Sequence, residues 1–245
     1  MIKELNHIGL FTSDMAASKE FYGDVLGGSV IRDYADAKGS LYVYIQIALG
    51  VIELIRVPED MENKGFIHVA YLIDATKTLE EDHAYLAGKG YKFTVEPKST
   101  AAGDGRLAFF IDHSGVSFEL IQREENIRVR DLVNPRIEAF HHIAVNVSPK
   151  AAIECDAFYL QDMGFQKTGS GRYTIGADTI ELTETEDRTA LEKPLSHICL
   201  KVKDCCETAA YLKSRGVMCS EISPCGQGSR FEVIGPGKER VVFIS

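Results

Sequence analysis

The sequence predicts an α+β protein of four βαβββ units, paired into two domains that each hold a concave, partly open mixed sheet. Three repeated features carry that expectation. Four short apolar strands each open on a histidine. Each is followed by a polar break and an amphipathic stretch that ends at glycine. Each unit then closes on a meander of short strands rich in β-branched and aromatic residues.

The opening strands are Asn6-His7-Ile8-Gly9-Leu10, Ile67-His68-Val69-Ala70-Tyr71, His141-His142-Ile143-Ala144-Val145 and Ser196-His197-Ile198-Cys199-Leu200. The breaks behind them are Thr12-Ser13-Asp14, Asp74-Ala75-Thr76, Ser148-Pro149 and Lys203-Asp204, all of helix-start composition. The helical faces hold Phe21, Tyr22, Val25 and Leu26, then Ala84, Tyr85 and Leu86, then Phe158, Tyr159 and Met163, then Tyr211 and Leu212. Gly27-Gly28, Gly88 with Gly90, Gly164 and Gly216 end them, as left-handed caps require. The step from the second histidine to the third is the longest of the three. It contains a charged stretch at residues 124–137, Glu124-Glu125-Asn126 through Pro135-Arg136, read as the linker. The expected domains are residues 1–123 and 138–245. One such unit cannot cover its own sheet face, so two must share a concavity.

Composition narrows the functions. Of 245 residues, 45% are hydrophobic and 26% charged, which is globular rather than disordered. Lys plus Arg total 27 against 36 Asp plus Glu, a net charge of −9 with no basic stripe, which argues against nucleic acid or anionic lipid as a partner. No apolar run approaches the roughly 18 residues of a membrane span. The start, Met1-Ile2-Lys3-Glu4-Leu5-Asn6-His7, has no signal-peptide profile, so a cytoplasmic protein is expected. Six cysteines, all in the second half and without a CxxC pair, are expected as reduced and mostly buried thiols.

The closing strands hold the second alignment. They read Val51-Ile52-Glu53-Leu54-Ile55, Ser117-Phe118-Glu119-Leu120-Ile121, Thr179-Ile180-Glu181-Leu182-Thr183 and Val241-Val242-Phe243-Ile244-Ser245, so Phe243 stands where the others place glutamate. A carboxylate between apolar neighbours costs several kcal/mol if buried alone, on the order of what any unpaired buried charge costs. Recurrence at one structural position demands a partner, and a cation is the natural candidate. His7, Glu53, His68 and Glu119 together form a nitrogen and oxygen donor set without thiolate, suited to Ni²⁺, Co²⁺, Mn²⁺, Fe²⁺ or Zn²⁺. Four protein ligands on an octahedral ion leave two positions for water or substrate, where the ion acts as a Lewis acid. Glu119 or Glu53 is then the general base. The second half retains His142, Glu181 and His197, a weakened or three-ligand site. Strand alternation sends His141 to the face opposite His142 and excludes it. Arg106 and Lys98, around Gly103-Asp104-Gly105, are candidates for substrate contact. Tyr42, Tyr44 and Phe109 read as core or cavity wall.

The βαβββ units, the Phe21-Tyr22…Val25-Leu26-Gly27 helix end and the Asp112-His113-Ser114-Gly115…Phe118-Glu119-Leu120 strand resemble the vicinal oxygen chelate superfamily. That group includes type I glyoxalases, methylmalonyl-CoA epimerases, extradiol dioxygenases and antibiotic-resistance proteins. The resemblance covers essentially the whole chain. The His, Glu, His, Glu order in residues 1–123 is closest to type I glyoxalases; epimerases usually place glutamine at the position of Glu53. Phe11 stands where glutathione-using members tend to carry arginine. The resemblance implies a metal-dependent lyase or isomerase that acts on a small oxygenated substrate through an enediolate-type intermediate, in a chain that can form a homodimer. An extradiol-type dioxygenase with Fe²⁺ and a small-molecule-binding, resistance-type protein are the rival readings. Whether units one and two share the site, or exchanged units do, is open at the level of sequence.

Overall fold

The computed structural model describes residues 2–74, 76–124 and 126–245; Met1 of the N-terminal segment, Ala75 of the second polar break and Glu125 of the linker lie outside the described residues. The architecture is α+β with two eight-stranded mixed sheets, one from each half of the chain.

The first half supplies β1 (Ile2–Thr12), β2 (Ser29–Ala35), β3 (Leu41–Ile47), β4 (Gly50–Arg56), β5 (Gly65–Ile73), β6 (Phe93–Ser99), β7 (Arg106–Ile111) and β8 (Ser117–Gln122). Their order across the sheet is β2-β3-β4-β1-β5-β8-β7-β6, so units one and two share one sheet. The second half repeats this with β9 (Ala139–Val147), β10 (Gln166–Gly169), β11 (Arg172–Ile175), β12 (Asp178–Glu184), β13 (Leu195–Lys201), β14 (Ser223–Cys225), β15 (Gly228–Ile234) and β16 (Arg240–Ile244). The order is β10-β11-β12-β9-β13-β16-β15-β14. Within a unit, the closing strand runs parallel to the opening one, as β8 does to β5, β12 to β9 and β16 to β13. Parallel pairing needs a long crossover, and the helix with its meander provides it.

The helices are α1 (Met15–Lys19), α2 (Leu79–Gly88), α3 (Pro149–Ala157), α4 (Arg188–Glu192) and α5 (Cys205–Ser214). Residues in the polar breaks, or just beyond the break in the second unit, cap four of them. Asp14, Thr78, Ser148 and Asp204 each accept a hydrogen bond from the amide three residues on, an arrangement that contributes about 1 kcal/mol per helix. α1 and α3 run on as π-helical segments, Glu20–Val25 and Phe158–Met163. These segments bury the adjacent pairs Phe21-Tyr22 and Phe158-Tyr159. Glycines in the left-handed conformation, Gly27 (φ 72°) and Gly164 (φ 83°), turn the chain out of them. Tyr85 departs from the expected pattern. It is partly exposed, and its hydroxyl donates to Asp162 at 3.0 Å.

The backbone forms two compact units: Met1–Ile8, Ile67–Ile127 and Ile143–Ser196 make one; Gly9–Phe66, Arg128–His142 and His197–Ser245 make the other. Each has an aromatic core and a buried tyrosine–carboxylate clamp. In the first, Phe110, Phe118, Phe158 and Tyr159 pack ring on ring, and Tyr159 donates to Asp112 at 3.2 Å. Asp112 also accepts the Ser114 and Val116 amides, each at 2.9 Å, which closes the β7–β8 turn. In the second, Tyr22 donates to Glu239 at 2.6 Å. The β15–β16 turn carries Gly235 where the β7–β8 turn carries Asp112. A Cβ on Gly235 would lie 2.0 Å from Glu239 Oε1, so Glu239 fills the space that a residue 235 side chain would need. One acid replaces the other from four residues further along the turn.

Residues 128–137 of the linker stretch are anchored within the second compact unit. Gln46 exchanges two hydrogen bonds with the backbone of Val129, at 2.7 and 2.8 Å, and Asn134 donates to the Leu26 and Gly27 carbonyls at 3.0 Å. No disulfide joins the six cysteines; Cys155, Cys199 and Cys205 are buried, Cys206 and Cys225 are exposed, and Cys219 lies between. Half rather than most of the thiols are thus buried. No helix among the described residues is long and apolar enough to cross a membrane.

Burial raises the Glu239 carboxyl from its ordinary 4.5 to about 7, against the hydrogen bond from Tyr22. A carboxyl raised in the folded state holds its proton more tightly there. Its contribution is therefore complete below pH 4.5 and lost as pH rises through about 7, a swing on the order of 3 kcal/mol. Glu239→Gln stays neutral and still accepts from Tyr22. In metal-free buffer, the unfolding free energy of the wild type should fall relative to the variant across that window. Parallel pH profiles for the two proteins would refute the assignment.

Candidate metal centre

Three of the sequence-predicted residues meet at one point. His7 on β1, His68 on β5 and Glu119 on β8 are all buried. Glu119 Oε2 lies 3.2 Å from His7 Nε2 and 3.2 Å from His68 Nε2, and the two Nε2 atoms are 3.1 Å apart. The ring of Phe109, on β7 directly across from Glu119, packs edge-on against His68 with centroids 5.3 Å apart. It forms a wall of the cluster, as expected from the sequence.

The tautomer of His7 follows from its neighbours. His7 Nδ1 lies 2.9 Å from Asn6 Oδ1. The same oxygen accepts from Arg123 Nη1 at 3.1 Å. A guanidinium only donates, so the Asn6 atom facing both groups is the oxygen, and His7 Nδ1 carries the proton. Asn126 holds Asn6 from the other side, accepting from its Nδ2 at 3.1 Å and donating to the Leu5 carbonyl at 3.0 Å. In its neutral form, which is the metal-binding one, His7 then presents a lone pair at Nε2 to a second imidazole and a carboxylate. One proton serves such a triangle poorly, whereas a divalent ion satisfies all three atoms. Their spacing fits. Neighbouring ligands at bonds of about 2.1 Å stand about 3.0 Å apart around an octahedral ion and about 3.4 Å around a tetrahedral one. Burial pushes the Glu119 carboxyl up, but the bonds and charges of His68 and His7 outweigh burial and hold it below its ordinary range.

Glu53 is buried on β4, and its Oε1 accepts a short hydrogen bond from Tyr44, its cross-strand partner on β3. Arg106 and Lys98 are exposed on β7 and β6, and Arg106 Nη1 pairs with Glu80 at 2.5 Å. Contact between Arg106 and a substrate would require that pair to open.

The second half differs from the first residue by residue. Glu181 repeats the position of Glu53 but pairs with Arg172 across the β11–β12 ladder at 2.7 Å. His142 and His197 stack edge to face at 5.7 Å. Burial, then Arg240 and Arg230, lower His197 to about 4. The sequence alignment of the last strand was off by one. β5 pairs Ala70 with Glu119, and β13 pairs Cys199 with Val242. The turn agrees, since Gly115 (φ 87°) and Lys238 (φ 66°) share its left-handed position. Val242, not Phe243, therefore occupies the position of Glu119, and the carboxylate is absent either way. The exclusion of His141 also fails, because His141 Nδ1 lies 2.7 Å from His142 Nδ1. Alternation fixes where Cβ points, while the ring torsions swing neighbouring imidazoles together, just as Asn6 reaches His7 in the first half.

The chain belongs to the Glyoxalase/Bleomycin resistance protein/Dioxygenase superfamily, whose family model matches residues 4–120. It is 30% identical over 133 residues to the uncharacterized protein YwkD of Bacillus subtilis, a match spanning 50% of this chain and 99% of that one. In fold it is similar to the Mn(II)-bound glyoxalase from Novosphingobium aromaticivorans, with TM-score 0.71, 19% identity, 100% of this chain and 82% of that chain. It is also similar to homoprotocatechuate 2,3-dioxygenase from Brevibacterium fuscum, with TM-score 0.69, 15% identity, 100% of this chain and 80% of that chain.

The sequence assigns no role to Asn6, Arg123 or Asn126; only the adjacency of Asn6 to His7 hints at one. Partners of this kind typically govern metal affinity 10- to 100-fold. Asn6→Ala should weaken Co²⁺ binding by about that factor in calorimetric titration, while Asn6→Asp, which keeps an acceptor beside Arg123, should restore most of it. Equal affinities for Asn6→Ala and the wild type would remove Asn6 from the centre.

Proposed function

We propose that the protein is a metal-dependent lyase or isomerase of the glyoxalase type, acting on a small substrate with vicinal oxygens through an enediolate-type intermediate. The convergence of His7, His68 and Glu119, with the His7 lone pair fixed by Asn6, carries this reading. We assign these three residues as ligands to a divalent ion, and add Glu53 as the fourth on the strength of the sequence repeat. The nitrogen and oxygen set suits Ni²⁺, Co²⁺, Mn²⁺, Fe²⁺ or Zn²⁺. When bound, the ion supplies Lewis-acid polarisation of a substrate oxygen.

The residues of the chain do the rest. Glu119, and alternatively Glu53, takes the proton from the carbon next to the polarised carbonyl and returns it to the neighbouring carbon. Tyr44 orients the Glu53 carboxylate by its hydrogen bond. Phe109 shields the His68 side of the centre from water. Arg106 and Lys98 are assigned to the substrate's polar periphery. The same reading places the domains at 1–123 and 138–245, the protein in the cytoplasm, and a homodimer among its assemblies.

A second reading has one specific observation behind it. Two histidines and one carboxylate are the donor composition of non-haem Fe²⁺ oxygenases, and His7, His68 and Glu119 supply it. Oxygen uptake with catechols separates this extradiol-type reading from the first, which consumes no oxygen. Ligand binding without turnover in the metal-loaded protein would favour the resistance-type alternative instead.

Reconstitution with each ion, followed by a screen of 2-oxoaldehyde hemithioacetals, acyl-CoA epimers and catechols, identifies the reaction. On the substrate so found, Glu119→Gln at saturating metal should lower kcat by at least about 10²-fold with an unchanged circular dichroism spectrum. Glutamine keeps the shape and an oxygen ligand but cannot take up the proton. Full activity in that variant would rule out Glu119 as the base and leave Glu53.

A further inference from the structure

The second half holds a convergence of ligand atoms that the proposed reaction does not use. His141 and His142 on β9 and Cys199 on β13 each bring one ligand atom to within 4.8 Å of the others. Cys199 and His142 are buried and His141 is half-buried.

The duplicated frame shows how this arose. His142 repeats His7, so His141 occupies the position of Asn6. His197 repeats His68, so Cys199 occupies the position of Ala70. In the first half, the residue before the histidine is an amide that sets the tautomer through Nδ1, and the residue two beyond the second histidine is a methyl group. In the second half, both positions carry strong metal ligands, and both converge with the same imidazole. Meanwhile the carboxylates of the first-half pattern are lost, since Glu181 pairs with Arg172 and Val242 replaces Glu119. A nitrogen and oxygen set has given way to two nitrogens and a sulfur.

We propose that His141, His142 and Cys199 form a second transition-metal site, selective for a borderline-soft ion of the zinc type. Thiolate and imidazole favour such an ion over Mn²⁺ or Fe²⁺, whereas the carboxylate-bearing centre of the first half accepts the harder ions. Three protein ligands leave a position for water. Binding replaces the thiol proton of Cys199 with the metal–sulfur bond and releases that proton to solvent. The site stands independently of the proposed reaction at His7, His68 and Glu119.

The test uses the full-length, metal-stripped protein titrated with Co²⁺, because cobalt bound to thiolate gives a near-ultraviolet charge-transfer band that nitrogen and oxygen ligands do not. The band should appear in the wild type and persist in the His7→Ala/His68→Ala double variant. Zn²⁺ should abolish it and Mn²⁺ should not. It should vanish in Cys199→Ser, and His141→Ala should need at least tenfold more Co²⁺ to develop it. No band in the wild type at saturating Co²⁺ would overturn the proposal, as would an undiminished band in Cys199→Ser. If Cys199→Ser fails to fold, His141→Ala decides at its half-buried position, and an unshifted titration there overturns the site. Loss of metal from the double variant with retention of the cobalt–thiolate band would distinguish the two centres.

Discussion

A single proton placement organises the first-half cluster. Arg123 can only donate, so Asn6 must present its oxygen, and His7 must hold its proton at Nδ1. With His7 neutral, that leaves the Nε2 lone pair aimed at His68 and Glu119 in a buried space, where acceptor atoms facing one another are costly without a cation. The preference for a cation is thus built by groups that never touch it. Arg123 and Asn126 follow β8 in the chain, while Asn6 and His7 lie on β1, so the arrangement exists only once the sheet has formed. Folding and the capacity to bind a metal are coupled in the same contacts.

Much of this was legible in the sequence because duplication printed it four times. The histidine and glutamate positions repeat with the strands that carry them, and the helix caps Asp14, Ser148 and Asp204 fall in the breaks, while Thr78 lies two residues beyond its own. The errors fell where the copies diverge or where side-chain torsions decide. The last strand was aligned by its apolar letters, which slide freely in Val241-Val242-Phe243. Only the hydrogen-bond register with β13 fixes Val242 opposite Cys199. His141 was excluded by a rule about Cβ direction, which says nothing of where a ring nitrogen ends. Asn6 and Arg123 lie far apart in the chain, and no local pattern links them.

The tyrosine–carboxylate clamps show the same duplication solved by different residues. Tyr22 and Tyr159 occupy equivalent places on their π-helical segments, and each needs a buried acceptor. One finds Asp112 at the first position of a turn; the other finds Glu239 at the fifth, over a glycine that leaves room for it. The two acids differ in how they are held. Asp112 is held by two backbone amides and Ser114, whereas Glu239 Oε2 is buried with no hydrogen-bond partner among the described residues. Burial raises both carboxyls, opposed at Asp112 by Ser114, Val116 and Tyr159 and at Glu239 by Tyr22, so the clamp was retained with different counterweights.

Divergence at the histidine positions follows a comparable logic with a different result. Glu181 pairs with Arg172, and Val242 stands where the first half has Glu119, so the carboxylates of the first-half pattern are placed differently in this half. Arg240 and Arg230 add positive charge beside His197, countered in part by Glu232, which pairs with Arg240. The site proposed for this half uses donors other than His197. Cys199 supplies a thiolate and His141 a second imidazole, both grouped with His142. The two halves then share strands, caps and turn geometry but differ in donor hardness. The fold conserves the place where side chains converge, and the residues at that place determine which ion, if any, it can hold.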